Sequence, residues 1–417
     1  GFEPTFLSLA YVPTNDKTTR SYGNAPGMSA QLSYFGRLMY TFDNRYSIQA
    51  NFRADAYDSS KLSKKARWGY FPSVSLGWTI SNEPFFKDNV SRNAISFLKI
   101  RGSWGRNGNV NVLSGYQYST TIALNGEWYQ YDAANATGPV DYGSMPSGLA
   151  NPNLKWETSE QYDAGIDARF LNNRLTFTFD WYRKITRDLL VSINPIPEIG
   201  VSSTYINAGD VLNTGLEFEL GWKDTIGDFS YSINGNFSTL HNEVLSMPSA
   251  KTRIEGTTGG VSGLNNKIRT AFEPGYPIWY FRGYKYAGVT AEGTPQYYNA
   301  KGDIVDVVEE GDLQYIGKAI PDATYGITIS LAWKGIDFSV FGTGVIGSNI
   351  FSLLYSADRP RTNTLTYFWH NSVGNPNATG NTFPDMAKVS NDWKFWSSSA
   401  SLFKGDYFKI KQIQLGY

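Results

Sequence analysis

The sequence predicts an all-β fold, a transmembrane antiparallel β-barrel, and three observations lead to this prediction. Many segments alternate apolar and polar residues over the length of a membrane-spanning strand. Short turns and long loops succeed one another along the chain. The composition is rich in aromatic residues, at 16%, although the hydrophobic content is only 41%. Such a chain suits strands with one apolar and one polar face, whereas a large soluble enzyme more often has helices rich in Leu and Ala.

The segment YSIQANFRADA, residues Tyr46–Ala56, shows the alternation most clearly. Its even-numbered residues are apolar or aromatic and its odd-numbered residues are polar, which predicts a strand with two unlike faces. The same pattern recurs in RLTFTFDWYR, TGLEFELGW, DFSYSINGNFS, YGITISLAW and FLKIRGSWG. In a soluble sheet the apolar face packs on a core, but in a membrane barrel it contacts lipid and the polar face lines the lumen. Under the barrel interpretation, the lumen-lining candidates are Asn51, Arg53, Asp55 and Arg101.

The connections favour the barrel. Short turns such as FDNRY, FLNNRL and WKGID alternate with long segments rich in Gly, Asn and Ser, as periplasmic turns and extracellular loops do. The segment NEPFFKDNVSRNA is one longer connection on the short-turn side, with a predicted helical turn. Trp181, Trp222 and Trp333 lie near the ends of their apolar rows, where an interfacial girdle of aromatic residues is expected. We count roughly 11–13 candidate strands at this spacing.

Charge and cysteine content exclude several classes of function. The chain of 417 residues has 37 Lys and Arg against 37 Asp and Glu, so it lacks the basic excess typical of a nucleic-acid binder. It has no Cys, which excludes disulfides and thiol chemistry. No apolar run approaches the roughly 18 residues of a transmembrane helix. The start GFEPTF has neither an initiator Met nor a signal peptide, so we expect the chain to begin within a longer protein.

None of the motifs in the sequence predicts a catalytic or cofactor site. GTGVIG, residues 342–347, matches G-x-G-x-x-G, but the strand before it alternates, and a dinucleotide site needs a buried parallel strand in a βαβ unit. His241 and His370 lie far apart in loop-like segments. The pair Glu217 and Glu219 is more simply a charged channel wall than a glycosidase pair. The acidic segment around Asp303–Asp312 lacks the spacing of a calcium loop. We therefore expect no enzyme activity, metal or cofactor.

Clusters of aromatic residues in the predicted long loops are the candidate substrate contacts. Flat rings can stack on sugar faces while neighbouring polar side chains hydrogen-bond to hydroxyl groups. The alternative is that these rings pack the loops together or contact a partner protein. The candidates are Trp128, Tyr129, Tyr131, Trp369, Trp393 and Trp396.

Several blocks of the sequence resemble the SusC/RagA class of TonB-dependent transporters of Bacteroidota. The most recognisable block is NPNLKWETSEQYDAGIDARFLNNRLTFTFDWYRKITRDLLV, residues 151–191. Others are SYFGRLMYTFDNRYSIQANFRADA, FLKIRGSWGRNGN, EPGYPIWYFRGYKYAGV, IGKAIPDATYGITISLAWKGIDFSVFGTG and GDYFKIKQIQLGY. These blocks follow the family order over nearly the whole chain.

The resemblance implies part of a 22-stranded outer-membrane barrel with a plug that precedes this chain and final strands that follow it. It implies energy from the TonB–ExbB–ExbD complex through the N-terminal region, a SusD-like surface lipoprotein as a lid, and oligosaccharide substrates. The expected layout is a partial barrel over residues 1–417, with a lead-in at 1–30 and long extracellular loops near 107–154, 242–277, 287–319 and 350–405. Three alternatives stay open: an oligopeptide importer of the same class, a soluble all-β glycan-binding module, and a passive porin.

Overall fold

The structure is a computed structural model of the chain. It describes residues 30–58, 60–113, 115–120, 122–129, 141–146, 148–193, 198, 204–247, 252–257, 269–352, 366–380, 382–389 and 392–417. No helix within these ranges is long and apolar enough to cross a membrane.

Strands dominate the described chain. The first thirteen are β1 (Gln31–Phe42), β2 (Tyr46–Tyr57), β3 (Trp68–Thr79), β4 (Ile95–Asn109), β5 (Ile122–Tyr129), β6 (Asp141–Pro146), β7 (Glu157–Phe170), β8 (Leu175–Arg187), β9 (Leu190–Ile193), β10 (Thr204–Asn207), β11 (Asp210–Ile226), β12 (Phe229–Thr239) and β13 (His241–Ser246). The others are β14 (Ile254–Thr257), β15 (Arg269–Phe272), β16 (Tyr280–Gly283), β17 (Lys285–Val289), β18 (Pro295–Tyr298), β19 (Ile304–Val305), β20 (Gln314–Gly317), β21 (Ala323–Trp333), β22 (Ile336–Ile346), β23 (Asn349–Phe351), β24 (Leu402–Lys404) and β25 (Tyr407–Gly416).

Helices within the described ranges are few and short. They are α1 (Pro84–Asn89), α2 (Thr366–His370) and α3 (Trp393–Trp396), with 3₁₀ turns at Ile80–Asn82, Glu310–Asp312 and Ser399–Ser401. The sequence prediction of a helical turn in the connection after β3 is therefore confirmed by α1.

One large antiparallel sheet organises the molecule. Eleven strands follow one another as neighbours in the order β1-β2-β3-β4-β7-β8-β11-β12-β21-β22-β25, and β13 pairs with the start of β11. These eleven strands are 10 to 17 residues long, whereas strands of soluble proteins average about 5–6 residues. A strand needs about 9–11 residues to cross a bilayer with a tilt of about 45°. The sheet thus has the dimensions of a membrane barrel wall.

The connections differ between the two edges of the sheet. On one edge, here called the short-turn edge, β21 and β22 are joined by Lys334 and Gly335 alone, with φ of 46° and 89°. Positive φ at both central residues is the signature of the type I′ turn, which matches the twist of a hairpin. The opposite edge, the long-loop edge, carries the other long connections between neighbouring wall strands, whereas the connection between β3 and β4, which contains α1, lies on the short-turn edge. The alternation expected from the sequence is confirmed.

Each strand of the sheet has an apolar and a polar face. Along β2, for example, Ile48 and Phe52 share the apolar face with Leu76 of β3, while the residues between them form the polar face. Large side chains of the apolar face are exposed: Leu38 is 68% and Leu220 is 54% accessible. Monomeric soluble proteins rarely expose so extensive an apolar surface. The interpretation as a soluble module is therefore wrong, because the apolar faces do not pair to form a core.

Buried clusters lie instead among the segments of the long-loop edge. There, β14, β15, β16 and β20 form a four-stranded sheet, and β17, β18 and β19 form a three-stranded one. One cluster joins Phe272 and Ile254 of the four-stranded sheet to Val211 and Val244 beside the large sheet. The segments expected as long loops near 242–277 and 287–319 therefore carry short strands, which pack on the extended ends of the wall strands.

The glycine motif at residues 342–347 lies in the wall. Gly342 and Gly344 belong to β22, which is paired antiparallel to both β21 and β25. Gly347 follows the strand with φ of 83°, a conformation that favours glycine. A dinucleotide site would need a parallel βαβ unit, so these glycines lead a wall strand into a turn, as the alternation in the sequence predicts.

A buried carboxylate fastens the connection between β3 and β4 to the apolar face. Glu83, 5% exposed, precedes α1. It accepts hydrogen bonds from Tyr46 Oη at 2.5 Å, from Trp78 Nε1 at 2.9 Å and from Arg45 Nη1 at 2.8 Å. Tyr46 and Trp78 are apolar-face residues paired across β2 and β3, with their rings stacked at 6.4 Å. The connection between β3 and β4 therefore packs against the apolar face, at the short-turn edge of the sheet. We call this group the Glu83 lock.

The Glu83 lock makes stability depend on pH. The hydrogen bonds from Tyr46 and Trp78, together with Arg45, hold the pKa of the Glu83 carboxyl below its ordinary value. A depressed pKa in the folded state adds stability above the unfolded value of about 4.3, and this is lost as pH falls through the folded pKa. We expect Glu83→Gln to be less stable than wild type at neutral pH and the difference to shrink below about pH 4. Urea unfolding of both proteins in micelles, repeated across this pH range, measures the difference in the free energy of unfolding. A difference that does not vary with pH would contradict the depressed pKa of Glu83.

Candidate functional site

The polar face of the large sheet carries an ordered hydrogen-bond network at β1, β2 and β3. Asn51 accepts from Arg37 Nε at 2.9 Å and donates from Nδ2 to Ser73 Oγ at 3.1 Å. Arg53 Nε donates to Asp55 Oδ2 at 2.6 Å. The Asp55 side chain is buried, whereas that of Arg53 is half exposed. Three of the four predicted lumen residues thus lie on one polar face, where Asn51 is held by the neighbouring strands and Arg53 and Asp55 pair along β2.

The fourth, Arg101, bridges three strands. Its Nε donates to Asp167 Oδ2 of β7 at 3.0 Å, and its Nη2 donates to Asp180 Oδ2 of β8 at 2.6 Å. Gly165 of β7 is the residue that pairs with both Arg101 and Asp180. A Cβ at Gly165 would lie 2.3 Å from Asp180 Oδ1 and 2.9 Å from Arg101 Cζ. The missing side chain at Gly165 is therefore what lets the guanidinium reach across β7.

Further carboxylates extend this cluster along the wall. Asp163 accepts from Ser103 Oγ at 2.9 Å and from Gln161 Nε2 at 2.7 Å. Glu217 of β11 is paired with Asp180 across the strands. A groove of about 370 Å³ opens between them. Its lining residues are Arg101, Ser103, Gln161, Asp163, Asp180, Tyr182, Lys184 and Glu217. We call it the wall groove. It offers both acceptors and donors to a polar solute.

Asp163, Asp167 and Asp180 are functional candidates that the sequence alone does not single out. The signal was present, because all three alternate in phase with the polar positions of β7 and β8. What the alternation cannot give is register: Asp167 pairs directly with Lys99, yet its ion pair is with Arg101, diagonally across the strands. The pair of Glu217 and Glu219 lies on the same wall, on the polar face of β11.

The predicted loop aromatics occupy different environments. Trp396 is 1% exposed and its Nε1 donates to Val389 O at 2.7 Å, so its ring packs the interior of the loop region. Trp393 lies against Tyr284, with ring centroids 5.9 Å apart. Trp369 of α2 is 49% exposed. Of these three, Trp369 is the ring that is free to contact a solute.

The remaining aromatic candidates belong to the segment at β5. Trp128 and Tyr129 lie in β5, where the backbone pairs with Tyr142 and Asp141 of β6. Tyr131 lies outside the described residues. Trp128 and Tyr129 therefore lie on the long-loop edge, in the hairpin of β5 and β6 that connects β4 to β7.

A tyrosine cluster on the four-stranded sheet was not anticipated. Tyr280 is buried and its ring lies 4.9 Å from that of Tyr276 and 5.4 Å from that of Tyr315, both of which are exposed. The Tyr280 hydroxyl donates to Glu273 Oε2 at 2.7 Å. The three tyrosines are spread over about 40 residues of short elements, so no local pattern in the sequence reveals the cluster.

Comparison with known proteins gives one consistent relationship. A family model described as TonB dependent receptor-like, beta-barrel, matches residues 4–383. The TonB-dependent receptor SusC of Bacteroides thetaiotaomicron is 32% identical over 394 residues, covering 93% of this chain and 37% of SusC. TonB-dependent receptor P3 of Formosa agariphila is 30% identical over 412 residues, covering 93% of this chain and 38% of P3. The chain thus spans less than two-fifths of the length of these curated relatives.

A solved structure supports the fold independently. The structure of the RagAB peptide transporter superimposes on this chain with a TM-score of 0.76 at 22% identity. The match covers 95% of this chain and 43% of the RagAB chain. Similarity at this level of identity concerns the fold alone.

The bridge at Arg101 can be measured as a coupling energy. We expect Arg101→Ala and Asp180→Asn to be coupled by about 1–2 kcal/mol in a double-mutant cycle, since the partners share a partly exposed network. Thermal unfolding in detergent micelles would supply the four stabilities. As a matched control, Arg101→Ala combined with Asp337→Asn, a polar-face carboxylate on β22, should be additive. Additivity of the Arg101 and Asp180 changes would contradict the bridge.

Proposed function

Since the chain belongs to the TonB-dependent receptor β-barrel family, and within it to the SusC/RagA class of the outer membrane of Bacteroidota, we propose that the whole protein imports oligosaccharides. The apolar face of the sheet contacts lipid, and the polar face lines the lumen, which includes Asn51, Arg53, Asp55 and Arg101. The short-turn edge is periplasmic and the long-loop edge is extracellular, as in bacterial outer-membrane barrels.

The proposal is supported by the dense polar wall and by exposed aromatic residues at the extracellular mouth of the barrel. Sugars present many hydroxyl groups and flat apolar ring faces. The wall groove supplies carboxylate acceptors at Asp163 and Glu217 and donors at Arg101 and Lys184. Trp369 supplies an exposed ring on the extracellular side. A wall of this kind guides a polar solute without breaking bonds, and the relatives are receptors rather than enzymes.

Two partners complete the proposal. A SusD-like surface lipoprotein closes the extracellular mouth, and the TonB–ExbB–ExbD complex supplies energy through a region outside this chain. The similarity to SusC, at 32% identity over 93% of the chain, supports both partners. The ordered loop sheets, β14-β15-β16-β20 and β17-β18-β19, give the long-loop edge a surface on which a lid protein can rest.

A specific observation also favours oligopeptides as a second candidate. The polar wall concentrates carboxylates at Asp163, Asp180, Glu217 and Glu219, which would attract the cationic groups of basic peptides. One solved structure with this fold is that of the RagAB peptide transporter. An importer of this type would share the partners and the lumen but differ in its solute.

Binding of glycan and peptide libraries to the purified complex tests the proposal. We expect oligosaccharides to bind and Trp369→Ala to weaken binding about three- to tenfold, the effect of one aromatic contact. Trp333, equally exposed but at the opposite edge, provides the control: Trp333→Ala should leave binding unchanged. Binding of peptides alone would select the second candidate. If neither library binds, or if uptake by cells does not require TonB, the proposal fails.

A further inference from the structure

A groove on the apolar face lies directly above the Glu83 lock. It has a volume of about 470 Å³, within the range of about 300–1,000 Å³ typical of small-molecule sites. Its apolar side chains are those of Tyr40, Tyr46, Ile48, Leu76, Trp78 and Ile100. The groove therefore opens on the lipid-facing surface and not on the lumen.

Gly102 creates the depth of the groove. It pairs with Leu76 of β3 and with Ala164 of β7, so two small residues lie side by side in an otherwise bulky row. A Cβ built at Gly102 meets only Asp163 O, at 3.6 Å, which is an ordinary contact. The backbone conformation and packing thus do not require glycine here. The groove is an open feature that a larger side chain would fill.

The groove begins at the membrane interface. Tyr46 and Trp78 line its short-turn end, and both donate hydrogen bonds to Glu83. Two residues further along the strands, about 7 Å deeper, lies the row of Ile48, Leu76 and Gly102. The short-turn end of the groove therefore lies beside the polar groups of the Glu83 lock, and its deeper part is apolar.

The connection held by the lock has the composition of an interfacial element. Phe85 in α1 is 55% exposed. Lys87, also exposed, carries a cation in the last turn of the same helix, followed by Asp88. Aromatic rings and Lys side chains are the residues that anchor proteins at the level of lipid headgroups. The mixed charge of Lys87, Asp88, Arg45 and Asp43 does not favour an anionic headgroup.

We propose that this groove is a binding site for a single phospholipid of the periplasmic leaflet. One acyl chain lies in the groove along Ile48, Leu76 and Gly102, and the zwitterionic headgroup lies at the Glu83 lock beside α1. The site is continuous with the lipid-facing surface, so the occupant comes from the bilayer itself. It does not depend on the transported solute.

Retention of phospholipid by the full-length protein tests this site. Outer membranes would be extracted in mild detergent, the protein washed, and bound phospholipid counted by native mass spectrometry. We expect wild type to retain a phospholipid and Gly102→Leu, which fills the groove, to lose it. Gly235 is the matched control: it faces lipid on β12 and its added Cβ meets only Gly326 O at 3.9 Å. Gly235→Leu should retain the phospholipid.

A second variant fills the groove from another strand. Ile48→Trp on β2 should also lose the phospholipid, and heat-dependent migration in gels would confirm that each variant is folded. After exchange into lipid vesicles, phosphatidylethanolamine should restore binding more than phosphatidylglycerol does. Absence of bound phospholipid in wild type, or equal retention by folded Gly102→Leu and Gly235→Leu, would overturn the proposal.

Discussion

The pairing of backbone N–H and C=O groups across the large sheet is the constraint on which the rest of the structure depends. Water is absent from the bilayer core, so every backbone polar group there must find a partner within the protein. Among the described residues, the nine long strands between β1 and β25 meet this requirement by pairing with a neighbour on both edges. Because the backbone hydrogen bonds lie in the plane of the sheet, the side chains project from its two faces. Those on one face contact lipid, and those on the other line a polar lumen.

This division explains where charge and hydrogen bonding are concentrated. Arg101, Asp167 and Asp180 form their bridge on the polar face, where water can enter. On the apolar face, the carboxylate of Glu83 lies at the short-turn edge, where it meets Tyr46, Trp78 and Arg45. The two clusters act differently. The first joins three strands within the wall, and the second fixes a connection to the girdle of aromatic rings.

Much of this architecture could be predicted from the sequence because its information is local. Alternation with a period of two assigns Asn51 and Phe52 to opposite faces without any knowledge of neighbours. The turn at Lys334 and Gly335 can be inferred from two residues between alternating segments. What could not be predicted depends on contacts between distant segments. Arg101 reaches Asp180 only because Gly165 lies between them, and Trp396 is buried while Trp369 is exposed although both lie in similar aromatic clusters.

The two faces of a strand such as Tyr46–Ala56 contact lipid and lumen, respectively, and the contacts of each face can be measured directly. Because the chain has no Cys, single Cys substitutions along this strand can carry nitroxide labels without a background signal. Their relaxation by oxygen, which dissolves in lipid, and by a water-soluble nickel chelate would be measured in bilayers. We expect labels at Ile48, Ala50 and Phe52 to respond to oxygen and those at Gln49, Asn51 and Arg53 to respond to the chelate. Equal responses along the strand, or no access to oxygen at Phe52, would contradict it.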